Sequence, residues 1–308
     1  MGLLLLLSGS FSGALDSLGT GLESAWSVGR RLRTGYSGAV IRVRRSSDNA
    51  ESDFSGSGAS GAVDPAAVAA FCGAGDGFLT TIYDQSGNAR NWTQATTTIQ
   101  PLVVSSGVAN TQNSRLVARW NGATSNRKMT VASSTATYKF LHTTGGTLAF
   151  MLSHVDNADA SKCFLGSSNG SVAGVFLYLN GSERVAAITA RRDVAGVATN
   201  GATIDATATS RAISTTGSTV FMLLDPDNAT AGSRASVWVD GTAPTGFVNA
   251  QTATPFNENA FADIALGNAS TFNQSIDGNI GEVIFWSGDA TSGRTTWESN
   301  AKTFWGTP

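Results

Sequence analysis

The chain has 308 residues, of which 35 are glycine and 14% are charged, and its formal net charge is −2. This length permits one large domain or two small ones with a substantial core. The glycine-rich, charge-poor composition favours a turn-rich all-β protein over a helical enzyme. The small net charge excludes a strong overall attraction to nucleic acid, so we expect no nucleic-acid partner.

The amino-terminal residues 1–22 are apolar and then rich in glycine and serine, which predicts an arm or linker before a domain at residues 23–308. The arm begins with the run Leu3, Leu4, Leu5, Leu6 and Leu7. A membrane span needs about 20 apolar residues, and a signal peptide needs a basic start, so the run matches neither pattern. We expect an assembly arm that docks on a partner or on the domain itself; a cleaved signal is the alternative.

Local patterns predict the first elements in chain order. Glu23–Arg33 is compatible with a short helix that points Trp26 and Leu32 inward. Strands follow at Ala39–Val43 and Glu51–Phe54. Asp64 and Pro65 form a helix start, with Gly73 as the stop. A local basic cluster comprises Arg30, Arg31, Arg33, Arg42, Arg44 and Arg45. Its alternating part, Arg42 and Arg44, suits one polar face of a strand, with a phosphate-binding patch as the alternative.

The rest of the chain is a series of β-prone runs separated by turn signals, among them Asn180-Gly181 and Asp240-Gly241. The predicted strands are Pro101–Val104, Arg115–Trp120, Lys128–Val131, Thr147–Val155, Lys162–Leu165, Val175–Leu179, Arg184–Thr189, Thr219–Leu224, Ala235–Val239, Asp263–Leu266 and Gly281–Trp286. Their close spacing predicts an antiparallel β-sandwich. Ser292–Phe304 predicts a closing helix whose apolar face carries Trp297, Ala301 and Phe304.

The stretch FLTTIYDQSGNARNWTQ, residues 78–94, combines a buried strand with a sharp polar turn. Asp84, Gln85, Arg90 and Trp92 offer the planar polar groups and the flat apolar face that a sugar-binding groove needs. The same residues suit a well-packed sheet corner, in which Asp84 closes the turn through backbone hydrogen bonds. Both interpretations remain open from the sequence.

The segment Ser37–Gln94, with YSGAVIRVRRSSDNAESDF, DPAAVAAFC and FLTTIYDQSGNARNWTQ, resembles the catalytic domain of arabinofuranosidase B, a concanavalin A-like jelly-roll β-sandwich. It also resembles jelly-roll modules of tailed-phage structural proteins. These share the RRLRTGYSGAVIRVRRSSDN opening, the YDQSGN turn and a carboxy-terminal run like DGNIGEVIFWSG at Asp277–Gly288. The resemblance implies an all-β jelly-roll with a few short helices.

The resemblance to arabinofuranosidases also implies what this chain lacks. The family's nucleophile is a glutamate on a strand after a vicinal cysteine pair. Cys163 matches one of those cysteines, whereas Lys162 stands in place of the other, and the glutamate position falls near Gly174. A second family disulfide would join Cys72 to a residue near Gly77. These departures imply a retained fold without the activity.

Other carboxylates are candidate substitutes, since a retaining glycosidase needs two about 5 Å apart. Glu282 lies on a strand, where an outward position or an ion pair with an arginine such as Arg119 is the structural alternative. Asp277 and Asp263 flank predicted strands, and turn capping explains Asp277. Asp225 and Asp227 are candidate metal ligands for Ca²⁺ in a short loop, with turn capping again as the alternative; no other cofactor is expected.

We therefore predict a non-enzymatic virion protein of a bacteriophage: a head-decoration, neck or tail-associated jelly-roll assembled in the host cytoplasm. Its expected partners are other virion proteins, further copies of itself and cell-surface polysaccharide. The main alternative is a glycoside hydrolase of the arabinofuranosidase type. A purely structural capsid protein is a third hypothesis, which predicts a large apolar contact surface.

Overall fold

A computed structural model describes residues 11–121, 126–155, 162–168, 173–182, 184–189, 203–206, 212–243, 247–249, 258–269 and 275–308. The helices in these ranges are α1 (Pro65–Cys72) and α2 (Arg294–Trp305). The strands are β1 (Leu22–Ser27), β2 (Ile41–Arg45), β3 (Glu51–Phe54), β4 (Gly77–Ile82), β5 (Trp92–Thr93), β6 (Leu102–Ser105), β7 (Val108–Ala109), β8 (Thr111–Gln112), β9 (Arg115–Leu116), β10 (Ala118–Trp120), β11 (Met129–Thr130), β12 (Gly146–His154), β13 (Lys162–Gly166), β14 (Val175–Leu179), β15 (Val185–Thr189), β16 (Thr203–Ala206), β17 (Ser218–Leu224), β18 (Ala235–Val239), β19 (Phe247–Asn249), β20 (Ala265–Leu266) and β21 (Gly278–Ser287).

Most strands pair antiparallel in two long ladders, and β8 and β9 form a separate two-stranded sheet. One ladder runs β18–β17–β12–β21, and β21 then pairs with β1 along one half and with β10 along the other. The second runs β3–β2–β4–β5–β11–β20–β13–β14–β15–β16–β19. Strand β6 joins the ladders, because it pairs with both β4 and β10. The predicted all-β jelly-roll sandwich is confirmed.

Alternating residues of β21 separate two apolar clusters. Val283 and Phe285 belong to the main core, which also contains Trp26 and Trp92. Ile284 and Trp286 point to the opposite face and pack with buried residues of α2. This alternation follows from the two-residue side-chain period of a strand. It places α2 on the outer face of the ladder, and Glu282 shares that outer face.

Several local predictions agree with the structure. The carboxylate of Asp64 accepts a hydrogen bond from the amide of Ala66 at 2.9 Å, and Gly73 ends α1 with a φ of 60°. Asp240 and Gly241 both have positive φ, at 52° and 79°, as the tight turn between two strands requires. The predicted apolar face of the last helix is buried, with Trp297, Ala301 and Phe304 at most 6% exposed.

The predicted helix at Glu23–Arg33 is wrong. Its first half is β1, which pairs with β21 in a register that sets Trp26 opposite Val283. Pairing with a long central strand satisfies the backbone of this segment and outweighs its weak helical preference. The prediction that Trp26 and Leu32 lie inward is confirmed, since they are 1% and 0% exposed.

The described part of the predicted arm contacts the sandwich. Leu15 is fully buried, and its amide donates to the carbonyl of Leu32. The carbonyl of Leu18 accepts a hydrogen bond from the indole of Trp286 at 2.8 Å. The leucines at 3–7 lie outside the described residues. Neither helix of the described chain has the length and apolar character needed to cross a membrane.

Candidate functional site

Asp84 holds together the turn that follows β4. Its Oδ1 accepts hydrogen bonds from the amides of Ala25 and Ser86, both at 2.9 Å. Its Oδ2 accepts from the hydroxyl of Ser86 at 2.8 Å and from the amide of Arg90 at 3.1 Å. The side chain is 5% exposed, so its oxygens are used internally and have little access to a ligand.

Both polar groups of the neighbouring Gln85 side chain are also used in hydrogen bonds within the fold. Its Oε1 accepts from the amide of Leu32 at 2.7 Å, and its Nε2 donates to the carbonyl of Arg30 at 3.1 Å. The side-chain amide of Gln85 therefore hydrogen-bonds to the backbone that follows β1, in the way that a neighbouring strand would. At 1% exposure it presents no free group to a sugar hydroxyl.

Trp92 does not offer a ring face to solvent. It is fully buried, with its ring centroid 5.0 Å from that of Trp26. Arg90 keeps a side-chain exposure of 28% and donates from Nη1 to Glu23 Oε2 at 2.6 Å. The stacking role predicted for Trp92 is contradicted by this burial, because the ring has no surface accessible to a sugar. Of the four predicted sugar-binding residues, only Arg90 is partly accessible.

Glu282 lies in the outer-face cluster beneath α2. Arg30 donates to it from Nε at 2.8 Å and from Nη2 at 3.1 Å, which is a bidentate ion pair. The indoles of Trp297 and Trp305 add donors at 2.9 and 3.2 Å. Of the two structural alternatives, the ion pair with an arginine is confirmed and the outward position is wrong; the partner is Arg30 and not the suggested Arg119. With four donors and 1% exposure, this carboxylate anchors α2 and does not face a cleft.

Arg119 instead pairs with Asp277, with 2.5 Å between Nη2 and Oδ1. Asp277 immediately precedes β21, and its carbonyl accepts from the amide of Val155, just past β12. The pair therefore lies where the ends of two central strands meet. Asp263 is a structural cap: its carboxylate accepts from the amides of Ser133 and Ser134 at 3.0 and 2.6 Å.

Asp225 and Asp227 occupy a turn after β17. The Oδ2 of Asp225 accepts from Asn228 Nδ2 at 2.7 Å, and Asp227 is exposed. Among the described residues, no group of three or more His, Cys, Asp and Glu side chains is arranged to hold a metal ion. Calcium binding at this turn stays a prediction without a supporting ligand cluster.

The region matched to the family nucleophile lies at β13 and β14. Lys162 begins β13, beside the buried Cys163. Gly174 has a φ of 132°, and a Cβ there would lie 2.7 Å from the carbonyl oxygen of Ser167. Such crowding together with the positive φ leaves no room for a glutamate side chain. The carboxylate expected from the resemblance therefore has no place at this position.

The site of the second family disulfide is recognisable in space. Cys72 ends α1 as a buried free thiol, and burial raises its pKa. A Cβ added to Gly77 would lie 2.5 Å from Cys72 Sγ. The half-cystine implied by the resemblance would thus reach Cys72, and this chain has glycine there instead.

Sequence reasoning missed Arg30 as the partner of Glu282. The two residues are 252 positions apart, and Arg30 lies in a basic cluster at the end of the predicted helix Glu23–Arg33. No local pattern distinguishes it from Arg31 or Arg33. Only the pairing of β1 with β21, followed by the return of α2, brings these groups together.

Comparison with known proteins identifies where the similarity lies. The family model "Alpha-L-arabinofuranosidase B, catalytic" matches residues 15–146. A probable α-L-arabinofuranosidase B of Aspergillus flavus is 39% identical over 80 residues, which are 26% of this chain and 16% of that protein. Its counterpart in Aspergillus fumigatus is 40% identical over 77 residues, 25% of this chain and 15% of that protein. The chain thus matches about one sixth of the length of these curated relatives.

Solved structures extend the likeness in fold. An arabinofuranosidase in complex with arabinofuranosyl-α-1,2-xylobiose superposes with a TM-score of 0.60 at 18% identity, covering 93% of this chain and 64% of that one. A GH54 α-L-arabinofuranosidase soaked with a cyclic sulfate inhibitor gives 0.58 at the same identity and coverage. At this identity the likeness establishes the fold alone.

These findings overturn the virion prediction. Of the residues that carry the phage resemblance, Ser37–Gln94 lies inside the segment that matches the arabinofuranosidase model, and the run at Asp277–Gly288 lies beyond it. The relatives found are glycoside hydrolases, so the predicted bacteriophage structural role, decoration or tail position and virion location are wrong. The YDQSGN turn does not indicate a phage protein, because it is a structural corner of the sandwich that proteins of unrelated function can share.

Proposed function

We propose that this chain is a glycoside hydrolase domain that acts on α-L-arabinofuranosyl groups. The observation that carries the proposal is the match of residues 15–146 to the arabinofuranosidase B catalytic model. The sandwich that superposes on arabinofuranosidases over 93% of the chain supports it. Fold likeness alone does not define a reaction, so the proposal needs a direct test of bond cleavage.

Retaining and inverting glycosidases both use a pair of carboxyl groups, one as acid and one as nucleophile or base. Among the carboxylates considered above, Asp277 is the one to test first. Glu282 is enclosed by four donors, and Asp84 and Asp263 cap backbone amides. Asp277 has a side-chain exposure of 9% beside Arg119 at 22%, at the end of the central strands.

The test is release of 4-nitrophenolate from 4-nitrophenyl α-L-arabinofuranoside by the purified full chain, with 4-nitrophenyl β-D-xylopyranoside as the substrate control. We expect release from the arabinofuranoside alone. Asp277→Asn should lower kcat by at least a hundredfold, whereas Asp225→Asn, a change of the same kind in a distant turn, should leave it unchanged.

Three other outcomes are distinguishable. Absence of cleavage would overturn the hydrolase proposal. Saturable binding of the arabinofuranoside without cleavage would instead indicate an arabinosyl-binding domain. Cleavage that is unchanged in Asp277→Asn would keep the hydrolase and place its carboxylates elsewhere.

A further inference from the structure

A cavity of about 590 Å³ lies between α2 and the loops that flank β1 and β9. Its charged lining residues are Arg30, Arg31 and Arg115. No acidic side chain of the described residues lines it. The ion pair with Glu282 neutralises the charge of Arg30, so Arg31 and Arg115 give the cavity its net positive charge.

Both of these arginines are held in place by aromatic rings. The guanidinium of Arg31 stands 4.1 Å from the ring centroid of Phe11, and that of Arg115 stands 4.6 Å from that of Phe304. Cation–π stacking fixes the plane of a guanidinium while leaving its N–H edge available. The two side chains are therefore oriented before any ligand arrives.

Each of the two arginines also has an unsatisfied donor. The Nε atoms of Arg31 and Arg115 are buried and have no hydrogen-bond partner. A buried donor without a partner costs free energy, so such atoms are rare unless a ligand or water completes them. Neither Nε atom is accessible to solvent, so an acceptor in the cavity would meet the other N–H groups of these two guanidinium groups.

The remaining lining supplies groups suited to hydroxyls. Thr296 and Ser299 on α2 and Ser60 in the opposite loop contribute hydroxyl groups. Asn300 accepts from Arg30 through Oδ1, which leaves its Nδ2 as a donor. The volume lies within the range of about 300–1,000 Å³ typical of small-molecule sites. An oxyanion attached to a polyhydroxylated ring matches this combination of charge, donors and size.

We propose that this cavity binds the carboxylate of an acidic saccharide, such as a hexuronate residue, through Arg31 and Arg115. The planar guanidinium of arginine matches the planar geometry of a carboxylate better than a point charge does. The site goes beyond the proposed cleavage of arabinofuranosyl groups and does not depend on it. Its test reads binding, so a failure here is separable from a failure to hydrolyse.

The experiment is calorimetric titration of the full chain with methyl β-D-glucuronoside. Methyl β-D-glucoside and the methyl ester of the glucuronoside test the carboxylate, and inorganic sulfate tests a free oxyanion. We expect the glucuronoside to bind at least tenfold more tightly than all three, with an affinity that falls as salt rises. Absence of binding, or equal binding of the glucoside, overturns the proposal. Sulfate binding as tight as the glucuronoside overturns the saccharide assignment.

Variants locate the binding. Arg31→Gln and Arg115→Gln should each weaken glucuronoside binding at least tenfold, with folding checked by thermal unfolding. Arg42→Gln is the matched control, because Arg42 forms an exposed ion pair with Asp53 and does not line the cavity. Unchanged affinity in both cavity variants contradicts the site. The comparison among ligands on the unaltered chain stands even if a variant fails to fold.

Discussion

Arg30 and Glu282 form a bidentate ion pair at the interface between the central strand β21 and the closing helix α2, and both side chains are nearly inaccessible to solvent. The indole N–H groups of Trp297 and Trp305 donate hydrogen bonds to the carboxylate of Glu282. Asn300 accepts a hydrogen bond from the guanidinium of Arg30. Desolvation makes a buried pair of this kind costly, and its geometry offsets that cost only while every partner is present.

We therefore expect Glu282→Gln to destabilise the protein strongly. Gln keeps the shape but leaves the Arg30 charge uncompensated, and breaking a buried pair typically costs about 3–5 kcal/mol. The measurement is the free energy of unfolding in urea. Glu51→Gln on the exposed face of β3 is the control and should change it by less than about 0.5 kcal/mol. An equal effect of the two substitutions would contradict the anchoring role.

Asp84→Asn should also lower stability, because the substituted amide directs an N–H group at atoms that are themselves donors. The carboxylate accepts three backbone amides and one hydroxyl, so at least one buried donor loses its acceptor. We expect a loss of about 1–3 kcal/mol.

The matched control is Asp64→Asn, since asparagine caps a helix amino terminus about as well as aspartate. Thermal unfolding of both variants provides the comparison. A loss at Asp84 no larger than that at Asp64 would mean that the turn tolerates the change, and its carboxylate would again be open to a ligand-binding role.

Gly77→Cys should form a disulfide with Cys72, because the new Cβ would lie 2.5 Å from the existing sulfur. The loop is short, so the chain-entropy model gives about 2 kcal/mol, and contact with Val104 subtracts from it. We expect a higher Tm under oxidising than under reducing conditions. Gly77→Ser, which cannot cross-link, should show the same Tm in both. Failure to lose free thiols on oxidation would refute the predicted proximity.

His142 introduces a pH dependence. It is 1% exposed, its Nε2 lies 2.9 Å from the carbonyl oxygen of Glu258, and burial lowers its pKa below the ordinary value of 6.5. The unfolded chain therefore takes up a proton first as pH falls. The stability that His142 contributes is present above pH 6.5 and is lost as pH falls through its lower folded pKa.

His142→Gln keeps an amide donor for the carbonyl and removes the titration. The difference in unfolding free energy between the two proteins should be constant above pH 7 and should shift in favour of the variant below about pH 6. Urea titrations at a series of pH values give this difference. A difference that stays flat from pH 8 to pH 5 would show that His142 protonates equally well in the folded state.

Much of the local structure could be predicted from the sequence. Asp64 and Pro65 start a helix because capping and the fixed proline φ act within a few residues. Asp240-Gly241 forms a tight turn closed by the bridge between Val239 and Thr242, because both positions adopt positive φ. The face of α2 followed from helical periodicity, and the strands of the sandwich followed from β-prone runs between turn residues.

The candidate sites depended on contacts that no local pattern contains. Trp92 looked like an exposed stacking platform because it follows a polar turn, yet it lies on β5 of the second ladder and packs against Trp26 on β1 of the first ladder. The helix expected at residues 23–33 became β1 because a partner strand from the far end of the chain was available.

The sequence by itself determined the turns, the helix ends and the alternation that buries one face of each strand, since these depend on backbone preferences and spacing over a few residues. Only the tertiary structure decided that Glu282 is an anchor and that Arg31 and Arg115 line the same cavity. The physical reason is that burial and charge pairing depend on which distant segments come into contact in the folded chain, and local sequence patterns do not specify those contacts.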